Sequence, residues 1–345
     1  MHVEGALGDA RLRHHHVHAD AAQPVPLRQR GAGIQQRLAG LRSSRHGQVL
    51  CHVESLDRTM GDRPVGHRVT VHAMPLLDTA TGRIAYDARG SGPAVVLLPS
   101  GAHHRRDYDA LRALLPDRFR SIGIDWPGHG ESPAGSRAAD EPHLADLVEQ
   151  ILDQLAPDGA VLVGNSIGGN VAARTAARRP ALVRGLMLVD SGGFEPPRLH
   201  SRMFCALMGR PWFARAVYPG FSRWYMRSRT SADRRARTDA IATTRTAAGL
   251  TAVTQMWHSF TLPEHDLRGL AGRITAPTVV VWGRHDPVLP LAAARNAHAL
   301  IPGSSLVVID SGHSPHTSDP ASVAAHLVPL LDAAFPAKGP STTRQ

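Results

Sequence analysis

From residue 94 onward, short apolar runs recur at regular intervals: Ala94–Leu98, Ser121–Asp125, Val161–Asn165, Leu186–Asp190, Thr278–Trp282 and Ser305–Ile309. Each is nearly continuous rather than alternating, the pattern of a strand buried on both faces. Arg83–Tyr86 reads as a shorter strand closed by the turn Arg89–Pro93. Between the runs lie stretches of helical period. Glu141–Leu155 places Leu144, Leu147, Val148, Ile151, Leu152 and Leu155 on one stripe, and Asp107–Leu115, the alanine-rich Val171–Arg179 and Leu291–Leu300 have similar spacing. A last helix starts at Pro320 behind an Asp319 cap. Strands alternating with helices predict an α/β fold: a mostly parallel central sheet covered by helices on both faces.

The rhythm breaks after Ser191. Residues 194–260 hold 10 of the 16 aromatic residues of the chain and no buried-strand pattern. The expected organisation is a core formed by 74–191 and 266–336, with an inserted helical cap or lid over 192–265 and a frayed tail over 337–345. Residues 1–73 lack either period, and a segment with so little apolar surface cannot offset its ordering entropy. They are expected to be disordered, or to precede a true translation start near Met60 or Met74. Nine of the 21 histidines fall there, and the cluster His14, His15, His16 and His18 reads as compositional bias.

Composition changes this picture little. The net charge of +10 is concentrated in two places, 1–73 and 195–250, the latter holding 11 arginines against 3 acids. Lys338 is the lone lysine beside 38 arginines, a compositional bias rather than a phosphate-binding pattern, and no nucleic-acid module is present. The cap arginines read as a solvated face, with Arg223 or Arg227 as the residues that would meet an anionic substrate group. Cys51 and Cys205 suggest neither a disulfide framework nor a zinc site. With no spanning apolar run and no leader core, the sequence predicts a soluble cytoplasmic protein whose partner is a small-molecule substrate, with neither nucleic acid nor membrane. It is silent on oligomeric state.

The chemistry centres on Gly164-Asn165-Ser166-Ile167-Gly168-Gly169. An apolar strand that turns directly into a helix forces its apex residue into a strained conformation, and glycines two positions to either side keep a Cβ out of the neighbouring backbone. Ser166 then stands at a helix N-terminus, where an anion is favoured. A dinucleotide-binding turn closed by Asp190 competes for the same pattern, but Ser166 occupies the place of that motif's middle glycine. A serine nucleophile needs a base and a third group to orient it. Asp286 and His313 follow later strands, in the chain order Ser, Asp, His; Asp190 is the rival acid and His316 the rival base. Asp310 and Asp319 read as structural. Ile167 N–H and Gly101 N–H, the latter in the loop Pro99–His104, are the expected oxyanion donors.

These motifs, with Asp125-Trp-Pro-Gly-His-Gly-Glu-Ser132, Trp282-Gly-Arg-His-Asp286 and Gly312-His313, resemble those of the α/β-hydrolase superfamily in its lid-bearing, esterase-like branch. The resemblance spans about Leu76 to Phe335. It implies hydrolysis through Ser166, His313 and Asp286 by way of an acyl-enzyme, with no cofactor and no metal. One departure is that family members commonly carry His-Gly where this chain has Pro99-Ser100, which leaves Gly101 at the usual oxyanion position. The expected substrate is a small-to-medium, largely apolar carboxylic ester. The alternatives are a carbon–carbon bond hydrolase of the ring-cleavage type, which the Asn165 elbow resembles, and a non-catalytic binding protein of the same fold. Cofactor-free haloperoxidase activity is a conceivable side reaction, and Ser166 argues against dehalogenase or epoxide hydrolase chemistry, which uses an aspartate nucleophile.

Overall fold

A computed structural model describes residues 74–336 apart from Pro197 and Ser228; the expectations for 1–73 and 337–345 lie outside the described residues. Eight strands run β1 Leu76–Thr79, β2 Gly82–Arg89, β3 Ala94–Leu98, β4 Arg120–Ile124, β5 Ala160–Asn165, β6 Val183–Val189, β7 Thr278–Gly283 and β8 Ser305–Ile309. They form one sheet in the order β1-β2-β4-β3-β5-β6-β7-β8. β1, β2 and β4 pair antiparallel, and every pairing from β4 through β8 is parallel. The continuous apolar runs therefore became the central strands. Along them successive residues face opposite sides: Val96, Leu98, Leu162 and Leu188 enter one core cluster, and Val95, Leu97, Val161 and Val189 the other.

The helices are α1 Asp109–Arg112, α2 Glu141–Leu155, α3 Ile167–Arg178, α4 Leu199–Met208, α5 Pro211–Met226, α6 Ser231–Thr243, α7 Ala247–Ser259, α8 Arg268–Ala271, α9 Leu291–Leu300, α10 Pro315–Ser318 and α11 Pro320–Ala334. α2 starts on Asp140, whose carboxylate accepts the His143 N–H, and it buries the predicted leucine and valine stripe. Asp319 caps α11 in the same way through Ser322 N–H. The expected helix Asp107–Leu115 is instead a 3₁₀ turn over Arg105–Tyr108 followed by the single turn α1. Its shortness follows from Asp107 and Tyr108, which turn inward to buried partners: Tyr108 donates to the Leu98 carbonyl at 2.9 Å.

Helices α4 to α7 are inserted between β6 and β7 and have a core of their own, built around Met208, Tyr218, Tyr225, Met226 and Val253. β3 and β5 are adjacent, yet their connections leave toward opposite edges of the sheet. This is a topological switch point, where the carboxyl ends of parallel strands leave a crevice for ligands.

Candidate active site

β5 ends in that crevice, and the turn into α3 is tight enough to put Ser166 at φ 57°, ψ −115°. A non-glycine residue there costs on the order of 1–3 kcal/mol and persists only when neighbours over-determine it. Here they do: Ser166 N–H donates to the Val189 carbonyl at 3.1 Å, and the Ser166 carbonyl accepts from Asn170 N–H and Gly192 N–H. The flanking glycines are required by space. A Cβ on Gly164 would overlap the Gly168 carbonyl, and one on Gly168 the Leu98 carbonyl.

The loops after β7 and β8 bring Asp286 and His313 together. Asp286 Oδ2 lies 2.6 Å from His313 Nδ1, while its Oδ1 accepts the N–H groups of Val288 and Leu289. The carboxylate thus fixes the tautomer that leaves His313 Nε2 without a proton. The backbone of His313 is held as well, its N–H donating to the Tyr225 carbonyl at 3.3 Å and its carbonyl accepting from Asn165 Nδ2 at 3.0 Å.

The rival acid, Asp190, also belongs to this cluster. Atoms of Asp190, Asp286 and His313 all lie within 4.8 Å of one another. Burial and the charge of Asp286 hold the Asp190 carboxyl well above the usual carboxylate range, although its Oδ1 accepts Gly283 N–H at 2.9 Å. Two buried carboxyls this close cannot both ionise. Asp190 is the one pushed toward its protonated form, and Asp286 is the one placed against the imidazole. The rival base falls elsewhere: His316 stacks on Tyr108 with ring centroids 4.5 Å apart, and Asp310, read as structural, pairs with His285 at 2.6 Å.

Opposite the serine, the loop after β3 is clamped peptide by peptide. The Ser100 carbonyl accepts His103 N–H at 3.2 Å, the Gly101 carbonyl lies 3.4 Å from the Tyr218 hydroxyl, and Ala102 N–H donates to His129 Nε2 at 3.1 Å. Gly101 N–H and Ile167 N–H, the latter at the start of α3, donate to no described residue. The left-handed residue of this turn is Ala102, at φ 69°, and Gly101 needs no positive φ.

His129 is the functional side chain that sequence reasoning passed over inside a recognised motif. Its Nδ1 donates to the Pro127 carbonyl at 3.0 Å, so Nε2 is free to accept from Ala102, and burial pushes the ring down to about 4. Trp126 Nε1 holds the Pro99 carbonyl at 2.8 Å from the same loop. A second buried chain was also missed. His103 is paired through Nδ1 with Asp107, its Nε2 lies 2.6 Å from the Tyr225 hydroxyl, and that hydroxyl lies 3.0 Å from the one on Tyr218. Its histidine and Tyr225 are 122 residues apart in the chain, so no local spacing announces it.

Ser166, Ile167, Gly101 and His313 all line one cavity of about 890 Å³, whose remaining walls are largely apolar, with Val217, Phe221, Trp257, Phe260 and Leu289 among them. Helices α4, α5 and α7 supply part of these walls, and the loops around residues 192–198, 260–266 and 287–289 supply much of the rest. Arg223 and Arg227 do not reach the cavity; Arg198 and Arg202 do, because α4 lies along its rim.

Residues 93–320 match the family described as alpha/beta hydrolase fold. A Mycobacterium tuberculosis protein is 28% identical over 280 residues, covering 74% of this chain and 80% of its own length. The pimeloyl-[acyl-carrier protein] methyl ester esterase of Nitrosomonas europaea is 28% identical over 253 residues, covering 69% of this chain and 95% of the esterase. A thermophilic esterase from Thermogutta terrifontis superposes with a TM-score of 0.62 at 25% identity, over 76% of this chain and 97% of that one.

Proposed function

The chain belongs to the α/β-hydrolase-fold family and is a hydrolase, and from that premise we propose that it cleaves a carboxylic ester by nucleophilic attack of Ser166. One observation carries the reading: a serine held at a strained strand-to-helix apex lines the same cavity as a histidine whose far nitrogen is tied to a buried carboxylate at 2.6 Å.

In this mechanism Ser166 Oγ attacks the ester carbonyl carbon while His313 Nε2 takes the hydroxyl proton. The carbonyl electrons move onto oxygen, where the free N–H groups of Gly101 and Ile167 stabilise the anion. When the tetrahedral intermediate collapses, the C–O bond to the alcohol breaks and His313 returns the proton to the leaving oxygen. Water then repeats the sequence on the acyl-enzyme and regenerates Ser166. Asp286 holds the imidazole and stabilises its cation; Asp190 stands behind it as a buried carboxyl anchored to Gly283 N–H.

The walls favour an acyl group of several carbons or an aromatic acyl group, since a cavity of about 890 Å³ leaves an acetyl ester most of its surface unmatched. A p-nitrophenyl ester series is the direct test. Turnover is expected to rise from acetate to medium-chain esters and to vanish in Ser166→Ala. Turnover that survives in Ser166→Ala would refute the nucleophile. If no ester is cleaved and a fluorophosphonate probe also fails to label Ser166, a non-catalytic binding role replaces this reading.

A further inference from the structure

Five of the nine exposed large hydrophobic side chains in the described residues sit on α4 and α5. Leu199, Met203 and Leu207 follow one another at intervals of four, which places them on one face of α4, and of that helix Met208 alone is buried. Leu199 is 76% exposed and Met203 59%. On α5, Trp212 and Trp224 are 69% and 53% exposed. Interleaved with these are Arg198, Arg202, Arg210, Arg215, Arg223 and Arg227, none of which forms an ion pair with a described residue. Between Glu195 and Asp233 the sequence holds no acid.

Solvated arginines alone would explain the charge, and an internal cap core would explain buried aromatics. Neither explains large apolar side chains that stay in water between those arginines. Tryptophan and arginine set around an aliphatic stripe are the composition of a surface that rests in the headgroup region of a bilayer: apolar groups enter the acyl boundary, and the cations meet anionic headgroups.

The position of the cavity adds to this. Arg198, Ser201 and Arg202 of the α4 side and Gly220 and Trp224 of α5 line it and are exposed, so part of its rim lies between the two helices that carry these side chains. A protein docked there would stopper the opening. A bilayer would set the opening against the phase in which apolar esters dissolve.

We propose that the α4–α5 face is a peripheral docking surface for anionic lipid membranes, through which the cavity is supplied. No helix of the described residues is long and apolar enough to cross a membrane, and docking of this kind requires none. The proposal replaces the expectation that a chain without a spanning run has no membrane partner. Binding to vesicles needs no turnover, so its outcome is independent of whether Ser166 cleaves esters.

The test is flotation of the full chain with phosphatidylcholine vesicles, with and without phosphatidylglycerol. Wild type is expected to float with the anionic vesicles and to be released by salt. The triple variant R210Q/R215Q/R223Q should bind roughly a hundredfold more weakly, at ~1 kcal/mol for each arginine near an anionic surface. L199S/M203S/W212S should bind at least about tenfold more weakly. None of these six side chains lines the cavity, so turnover of the water-soluble p-nitrophenyl butyrate, or fluorophosphonate labelling, should be unchanged and will report that the variants are folded. Failure of wild type to float would overturn the proposal. So would equal binding by the triple variants, which would move the contact to the arginines of residues 1–73, and so would self-association that the serine variant abolishes without any vesicle binding.

Discussion

Asp190 and Asp286 show how two residues of one type divide a task. Both are buried, but Asp286 is given two backbone N–H donors and an imidazole, whereas Asp190 receives one N–H and the repulsion of its neighbour. Asp190 is thereby pushed toward its protonated form, and Asp286 is left to meet the imidazole. Asp286→Asn should therefore lower kcat by about 10³- to 10⁴-fold, because an amide donates toward Nδ1 and imposes the wrong tautomer. Asp190→Asn keeps an oxygen to accept Gly283 N–H and leaves the Asp286–His313 pair in place, so it should cost less than about tenfold. Steady-state kinetics on one p-nitrophenyl ester compares them; equal losses would mean that the two carboxyls share the role. The sequence showed both aspartates at strand ends in the right order. It could not show which would ionise, because that depends on donors brought in from Gly283, Val288 and Leu289.

At the scale of elements, α5 suspends both halves of the site. Its Tyr218 hydroxyl approaches the Gly101 carbonyl, its Tyr225 hydroxyl meets His103 Nε2, and its Tyr225 carbonyl accepts His313 N–H. The two tyrosines act as positioning residues for the oxyanion loop and the base loop. Tyr225→Phe would keep the ring edge packed on His313, at a centroid distance of 5.6 Å, and leave His103 Nε2 buried without a partner. The expected loss of stability is about 1–3 kcal/mol. If the loop then loosens, kcat should fall about tenfold with KM nearly unchanged, since the ground-state apolar contacts remain. A rise in KM alone would instead make Tyr225 part of the substrate wall. The sheet, α2, α9, β8 and the elbow were legible in the sequence because short-range periodicity and turn chemistry determine them. The internal arrangement of α4 to α7 was not, since their aromatic positions serve a small separate core, the cavity wall and the exposed face at once. Nor was the His103–Tyr225 pairing, which joins the loop after β3 to a helix inserted more than 100 residues later.

Across the whole molecule, the buried titratable groups make stability depend on pH in a way that separates the two acids again. Burial lowers His129 and His316 to about 4, from an ordinary 6.5 that the unfolded chain regains. Between those values the unfolded state binds the extra protons. The stability these two rings contribute is complete above about pH 6.5 and is lost as pH falls toward about 4, at about 1.4 kcal/mol per pH unit for each ring once the unfolded imidazole is protonated. Asp190 has the opposite sign. Its folded carboxyl is raised above the unfolded value of 3.8, so the folded state holds the extra proton, and stability falls as pH rises through that interval. Glu195 is raised and His143 lowered, both by burial, and they pull in opposite directions. Wild type should therefore lose stability on acidification with a shallower slope than the two rings alone would give. Asp190→Asn removes the opposing proton and should steepen that slope. Urea unfolding midpoints at a series of pH values between about 4.5 and about 6.5 measure both slopes. If the variant and wild type run parallel, Asp190 is already ionised in the folded protein, and the division of labour between the two aspartates fails with it.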